Sequence, residues 1–108
     1  MTPYQNHATG KYRRLADLTE TERHRLLAAE RRRILITILS SSSSPIQMET
    51  LAKKIAERET STTTVDESIV DRMMVSLHHT HLPMMANMGI IGSNPETNQI
   101  EFDDPTNR

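Results

Sequence analysis

The residues from 68 to 91 constrain the fold of this chain more than any other stretch, because their apolar side chains repeat with the period of a helix. At about 100° per residue, one side of this helix is apolar and the opposite side is polar. The apolar side carries Val70, Met73, Met74, Leu77, His81, Met84, Met85 and Met88. The polar side carries Arg72, Ser76, His79, Pro83 and Asn87. The pattern predicts a long helix whose methionine face packs on a core or on a second copy of the chain.

The end of this helix and the residues after it predict a β-hairpin. Pro83 has no backbone N–H and its ring clashes with the preceding turn, so we expect a kink near residues 81–82. Gly89 then ends the helix. Residues 90–103 hold two short segments with apolar positions on either side of an Asn-Pro turn, a pattern typical of a hairpin.

Two helices are predicted between residues 19 and 39. Thr19 and Glu22 have the spacing of a capping box, which predicts the start of a short helix. A buried helical stripe follows at Ile34, Leu35, Ile38 and Leu39. The serine run at 40–44, followed by Pro45, ends this second helix in a flexible link.

A short strand and another helix are predicted between residues 46 and 60. Ile46 is placed to add an edge strand to a small sheet. The inward side of the helix carries Met48, Leu51, Ala52 and Ile55. Lys53 and Lys54 lie on its outward side. The threonine-rich residues 60–64 then suit a loop before the long helix.

These elements predict the fold class and the domain organisation. We expect a mainly α protein with a small β-hairpin: a winged helix-turn-helix of three to four helices plus a C-terminal wing. With 108 residues, the chain has room for one domain. We expect a flexible basic arm at 1–17, the winged-helix domain at 18–103 and a tail at 104–108.

The composition bounds the core and the compartment. The chain has no cysteine, seven methionines and only three aromatic residues, so its core must be aliphatic and methionine-based. A homodimer interface would supplement such a core. No apolar run approaches the length that spans a bilayer, and the N-terminus has no apolar signal region. We therefore expect a cytoplasmic protein without membrane contact.

The charges are unevenly placed along the chain. Residues 1–58 carry 11 Lys and Arg against 6 Asp and Glu, a balance of +5. Residues 59–108 carry 2 basic against 8 acidic residues, a balance of −6. The first half is expected to attract phosphate and the second half to repel it.

The histidine cluster at 78–81 is the strongest candidate for site chemistry. His78 and His81 are helical neighbours that could share a metal ion, but no cysteine or suitably spaced carboxylate completes such a site. We interpret His81 as a core histidine that hydrogen-bonds a backbone group, and His79 as a surface residue. The sequence has no phosphate loop, nucleophile elbow or metal-hydrolase motif. We therefore expect no enzymatic activity, no metal and no cofactor.

Several fragments resemble known winged-helix proteins. The resemblance to ArsR-type transcription regulators is carried by Arg33-Ile34-Leu35, Thr50-Leu51-Ala52 and His81-Leu82 with Met85 and Gly89-Ile90-Ile91. A closer resemblance, to small haloarchaeal winged-helix domains of unknown function, is carried by the run Val75–Met85, which includes the unusual proline. The resemblance as a whole covers about residues 22–103.

The resemblance implies a homodimeric archaeal regulator that binds promoter or operator DNA. Its long helix would enter the major groove, with Arg72, Ser76 and His79 facing the bases. Phosphate contacts would come from Arg31, Arg32, Arg33, Lys53, Lys54, Lys11, Arg13 and Arg14. Because three consecutive residues spread around a helix, the run 31–33 has a second interpretation, as a solvated helix start in which one arginine snorkels or pairs with Glu30.

A second function fits the same fold. The acidic second half and a wing without Lys or Arg suit a protein-interaction module that lacks DNA binding. In that case the basic first half would contact an acidic partner, or the acidic half of a second copy.

Overall fold

The computed structural model describes residues 12–103. Its elements, in chain order, are a 3₁₀ turn (Leu15–Asp17), α1 (Glu20–Leu27), α2 (Glu30–Ser40), β1 (Ile46–Gln47), α3 (Met48–Thr60), α4 (Glu67–Ser76), a π-helical segment (Leu77–His81), α5 (Leu82–Asn87), β2 (Ile91–Asn94) and β3 (Gln99–Phe102). We refer to α4, the π-helical segment and α5 together as the long helix. If the long helix is counted once, residues 12–103 form four helices and one small sheet. This confirms the mainly α fold with a C-terminal wing.

The long helix buries the face that the sequence predicts. Its buried side chains are Val70, Met73, Leu77, His81, Leu82, Met85 and Met88, with Met74 and Met84 partly buried. Pro83 lies at the start of α5 but within the continuous long helix, so its missing N–H removes one hydrogen bond to the preceding turn. The irregularity expected at the proline takes the form of the wider π-helical turn just before it.

The starts and ends of the helices follow from their local sequence. Thr19 Oγ1 accepts a hydrogen bond from the Glu22 N–H at 3.1 Å, and Glu22 Oε1 accepts one from the Thr19 N–H at 2.9 Å, so the predicted capping box is confirmed. The serine run ends α2 at residue 40, as predicted. The hydroxyls of Ser40, Ser41 and Ser42 donate to carbonyls one turn earlier. These serines therefore supply hydrogen-bond donors to backbone carbonyls near the C-terminal end of α2.

The core lies between α2, α3, the long helix and the sheet. Its members on α2 and α3 are Leu35, Ile38, Leu39, Met48, Leu51, Ala52, Ile55 and Ala56. The stripes predicted on these two helices are confirmed, except that Ile34 is only partly buried. Ser61 ends α3 in the left-handed conformation, with φ of 57°. The loop that follows leads directly to the long helix.

The sheet joins the wing to the middle of the chain. Its strand order is β1-β3-β2, and both pairings are antiparallel. Ile46 pairs with Ile100, which confirms the short edge strand. Ile100 and Phe102 are buried while their neighbours are less so, and this alternation was expected of a strand with one face on the core.

The residues just before α1 belong to the domain. The Tyr12 N–H donates to Asp103 Oδ2 at 3.1 Å, and the Tyr12 hydroxyl donates to Glu101 Oε1 at 2.9 Å. The tyrosine ring lies so close to Gly92 that a Cβ there would collide with it. These contacts attach Tyr12 to the wing, and Tyr12 lies within the arm predicted at 1–17. Residues 1–11 and the predicted tail at 104–108 lie outside the described residues.

Among the helices of residues 12–103, none is both long enough and apolar enough to cross a membrane.

Candidate nucleic-acid interface

The outer face of the long helix presents three exposed side chains on one side. Arg72, Val75 and His79 follow one another at spacings of three and four residues, which places them on successive turns. Val75 is 59% exposed and is the one large apolar side chain that is exposed among residues 12–103. We call Arg72, Val75 and His79 the outer face. It combines a guanidinium, two methyl groups and an imidazole, which suit hydrogen bonding and apolar contact with base edges.

Ser76, predicted to face the bases, is engaged inside the protein. Its hydroxyl accepts a hydrogen bond from Arg31 Nη1 at 2.9 Å. The side chain is partly buried between the long helix and α2. The structure therefore separates Ser76 from the outer face.

Arg31 is held by a carboxylate on another helix. Its Nε and Nη2 donate to the two carboxylate oxygens of Glu59 at 2.6 and 2.7 Å. This two-point contact raises the pKa of the Arg31 guanidinium, since the nearby carboxylate favours its charged form. With Ser76 on Nη1, all three nitrogens of Arg31 have partners, and Arg31 links α2, α3 and the long helix.

Arg32 is buried, with 9% of its surface exposed. Its Nε donates to the carbonyl of Leu26 at 2.8 Å, and its Nη2 donates to the carbonyl of Arg25 at 2.9 Å. Its Nη1 lies 3.3 Å from Nδ1 of His81. This guanidinium thus links the C-terminal end of α1 to α2 and the long helix. It is buried and therefore is not placed to reach phosphate.

His81 is buried on the apolar face, as expected, but its hydrogen-bond partner differs from the prediction. The partner is the Arg32 guanidinium and not a backbone group. Burial lowers the pKa of His81, and the positive charges of Arg32 and Arg31 lower it further. Charge on the ring is therefore disfavoured in the folded protein.

Arg33 is the exposed member of the arginine run. Its Nη1 donates to the carbonyl of Leu27 at 2.6 Å. The run thus divides into a bridging, a buried and an exposed residue, as expected of three consecutive positions on a helix. The alternative interpretation of the run was a solvated helix start in which one arginine snorkels or pairs with Glu30. The buried Arg32 differs from it, because its partners are the carbonyls of Leu26 and Arg25 and the His81 ring.

A group of available cations lies on α3. Lys53, Lys54 and Arg58 are exposed, and none of the three forms an ion pair with another residue between 12 and 103. Lys54 and Arg58 are one helical turn apart and border an open cleft. The other residues that line this cleft are Ile38, Ser41, Glu57, Ser61, Thr62 and Thr63. We call Lys53, Lys54 and Arg58 the α3 cations.

Arg58 was missed as a site residue by sequence reasoning. Its signal was its position four residues after Lys54, which places two like charges on one side of α3. Two adjacent cations without carboxylate partners, beside several hydroxyl groups, form a surface that suits phosphate oxygens.

Of the basic residues before α1, Arg13 and Arg14 have acidic partners within the domain. Lys11 lies outside the described residues. Arg13 donates to the carbonyl of Met88 at 2.9 Å and to both carboxylate oxygens of Glu22, at 2.9 and 3.2 Å. This contact with Arg13 is the main reason that the pKa of Glu22 falls to about 2. Arg14 lies 3.9 Å from the carboxylate of Asp17.

Apart from Arg72, the charged side chains of the long helix and wing are acidic. Asp66, Glu67 and Asp71 are exposed at the start of α4, and Glu96 is exposed in the hairpin turn. The sequence has no Lys or Arg between residues 73 and 107. The wing therefore has no cationic side chain to offer a phosphate. The described residues also hold no group of three or more His, Cys, Asp or Glu side chains arranged to bind a metal ion.

Comparison with known proteins identifies one family. The domain of unknown function DUF7344 matches residues 24–101, which runs from within α1 to within β3. No curated protein and no solved structure matches the chain.

Proposed function

This chain belongs to the DUF7344 family of domains of unknown function, and we propose that it is a DNA-binding transcription regulator that acts in the cytoplasm as a homodimer. The observation that carries the proposal is the outer face of the long helix. In a winged helix-turn-helix this helix is the element that enters the major groove. Arg72 has the donor geometry that reads guanine, and Val75 can contact a thymine methyl group.

The α3 cations support phosphate contact next to this helix. Lys53, Lys54 and Arg58 are exposed without ion-pair partners among residues 12–103, so binding DNA would break no internal contact of these side chains. Three phosphate contacts correspond to a slope of about −3 when the logarithm of the affinity is plotted against the logarithm of salt concentration. This slope is shallow for a DNA-binding protein.

A homodimer would compensate for the small number of cations. Two copies related by a two-fold axis would present six α3 cations and two outer faces to successive half-sites. The same arrangement would bring the salt slope to about −5 for the complete complex. Sedimentation of the protein with and without DNA measures the number of copies bound.

The test is fluorescence anisotropy with double-stranded DNA from the promoter of the protein's own gene and with random duplexes, at several salt concentrations. We expect binding that weakens with salt and prefers some sequences. Arg72→Ala should lower affinity for the preferred duplex by about tenfold to a hundredfold, and should relax base preference. Absence of binding at the lowest salt concentration would refute the proposal.

Arg25→Ala is the matched control for Arg72→Ala. Arg25 is an exposed arginine on α1, so its removal changes the net charge equally but leaves the outer face intact. If both variants lose the same affinity, the outer face does not read DNA, and general electrostatic attraction accounts for the binding.

A protein-interaction module is the second candidate, and the acidic surface favours it. Asp66, Glu67 and Asp71 at the start of α4 would face DNA phosphates unfavourably in the same docking geometry. A partner with a basic surface would fit them. Affinity capture of a partner that survives nuclease treatment, together with no DNA binding, would support this candidate over the first.

A further inference from the structure

The contact between Arg32 and His81 joins α2 to the middle of the long helix inside the protein. Both side chains are buried, with 9% and 8% of their surfaces exposed. His81 closes the π-helical segment, and Arg32 Nη1 lies 3.3 Å from its Nδ1. Two groups that can both be cations therefore meet in the core.

The protonation state of the imidazole decides whether this contact is attractive. Every guanidinium nitrogen is a donor, so Nδ1 must be the acceptor and the proton of a neutral ring must sit on Nε2. An imidazolium has no acceptor nitrogen. Protonation would replace the hydrogen bond with two like charges in contact on two buried side chains.

The other charged groups around His81 do not reverse this balance. Glu30, Arg31, Arg58 and Glu59 line an open cleft that also reaches His81. Glu59 favours the charged ring, but both of its carboxylate oxygens already accept from Arg31. Burial and the two arginines of α2 outweigh it, since the net effect on the pKa of His81 is downward.

We propose that the buried Arg32–His81 contact is a proton-operated latch, which holds the long helix on α2 while His81 is neutral and releases it when His81 takes up a proton. Arg32 also donates to two carbonyls of α1, so its guanidinium has partners that do not depend on His81. The released part is the π-helical turn between α4 and α5, where the backbone already departs from α-helical hydrogen bonding. Acid would thus act on the helix that carries the outer face.

The sign of the pH effect follows from linkage. The pKa of His81 is lower in the folded state than its ordinary value of about 6.5, so the unfolded chain takes up the proton first. The stabilising contribution is complete above pH of about 6.5, and it is lost as the pH falls from there to the folded-state pKa. Over this window the ratio of folded to unfolded protein falls about tenfold per pH unit on account of this residue.

The direct test is a titration of the histidine ring signals by NMR in the wild-type protein, with exposed His78 and His79 as internal references. We expect the His81 ring to remain neutral, with the proton on Nε2, to a lower pH than a histidine in an unfolded peptide. A His81 ring that becomes charged at or above pH of about 6.5 would overturn the proposal.

A variant separates the latch from general acid unfolding. His81→Asn keeps an acceptor near the position of Nδ1 but cannot take up a proton, and His79→Asn makes the same change at an exposed position of the same helical segment. Unfolding by urea at pH 8 and at pH 5 gives the folding equilibrium constant of each protein at the two pH values. Between pH 8 and pH 5, this constant should fall by up to about thirtyfold more in wild type and in His79→Asn than in His81→Asn. Equal losses in all three proteins would overturn the proposal.

The consequence for DNA rests on the proposed function and is measured separately. Wild-type affinity for duplex DNA should fall between pH 7.5 and pH 5.5 relative to His81→Asn. Because the NMR and unfolding experiments contain no DNA, a protein that binds no DNA would still show the latch. A DNA-binding protein whose His81 signals titrate as in an unfolded peptide would lack it.

Discussion

The arginine run of α2 and the α3 cations carry the same charge on neighbouring helices, yet the fold uses them differently. Arg31 and Arg32 are engaged at every guanidinium nitrogen, with partners on α1, α3 and the long helix. The α3 cations are exposed and have no ion-pair partner among residues 12–103. The run is the denser cluster of charge in the sequence, but two of its three arginines are engaged inside the protein, whereas all three α3 cations are exposed.

The position of each cation on its helix explains the difference. The first turn of α2 meets α1, α3 and the long helix, so Arg31 and Arg32 reach partners on all three. α3 also packs against several elements, namely α2, α4 and β1, but Lys53, Lys54 and Arg58 lie on the side that stays exposed. Availability for a ligand thus depends on which side of its helix a cation occupies.

The largest effect that would test this comparison is on stability. Arg32→Met keeps a long side chain but removes the donors to the carbonyls of Leu26 and Arg25 and to His81. Because these buried acceptors lose their partner, we expect the free energy of unfolding to fall by about 3 kcal/mol. Chemical denaturation at pH 8 measures it.

Arg33→Met is the control within the same run. Arg33 is exposed and makes one hydrogen bond to the Leu27 carbonyl, so its loss should cost less than about 1 kcal/mol. Similar losses in the two variants would break the comparison, since the run would then act as one charged surface and not as three different structural positions.

The second effect is on DNA affinity at nearly constant stability. Replacing Lys53, Lys54 and Arg58 together with Gln removes exposed charges, so the free energy of unfolding should change by less than about 1 kcal/mol. Affinity for duplex DNA at low salt should fall at least about tenfold, and the salt slope should become shallower by about three per protomer. Anisotropy titrations at several salt concentrations measure both quantities.

Replacing Arg14, Arg25 and Arg33 with Gln is the matched control, because it removes the same charge from exposed or half-exposed positions outside α3. If this control lowers affinity as much as the α3 variant does, phosphate attraction is spread over the whole basic half. The exposure of the α3 cations would then not distinguish them in DNA binding from the other basic residues.

The helices and the hairpin were predictable because their signals are local. The stripe at Met48, Leu51 and Ile55 follows the helical period, and the capping box of Thr19 and Glu22 spans a single turn. The alternation of Ile100 and Phe102 marks a strand in the same way. Each of these patterns is read within one element, so no knowledge of the packing is needed.

The partners of the charged residues were not predictable for the opposite reason. Glu59 is 28 positions from Arg31, and His81 is 49 positions from Arg32. Such pairs depend on which helix faces cross, and a pattern within one helix does not show that crossing. The internal partners of Ser76 and Arg32, which were predicted to contact DNA, could therefore not be foreseen. Arg58 is different, because its spacing from Lys54 was a local signal.

The smallest effect concerns Arg13, a third kind of basic residue that was predicted to contact phosphate and instead fastens the start of the domain. Its bond to Glu22 is the main cause that lowers the pKa of that carboxyl from 4.5 to about 2, with a smaller contribution from the Thr19 N–H. Ionised Glu22 therefore stabilises the fold above pH of about 4.5, and this contribution is lost as the pH falls toward 2. In Arg13→Gln, the Glu22 pKa measured by NMR should rise part of the way to 4.5, because the Thr19 bond remains. An unchanged Glu22 pKa, together with weaker DNA binding, would instead place Arg13 with the available charges of α3.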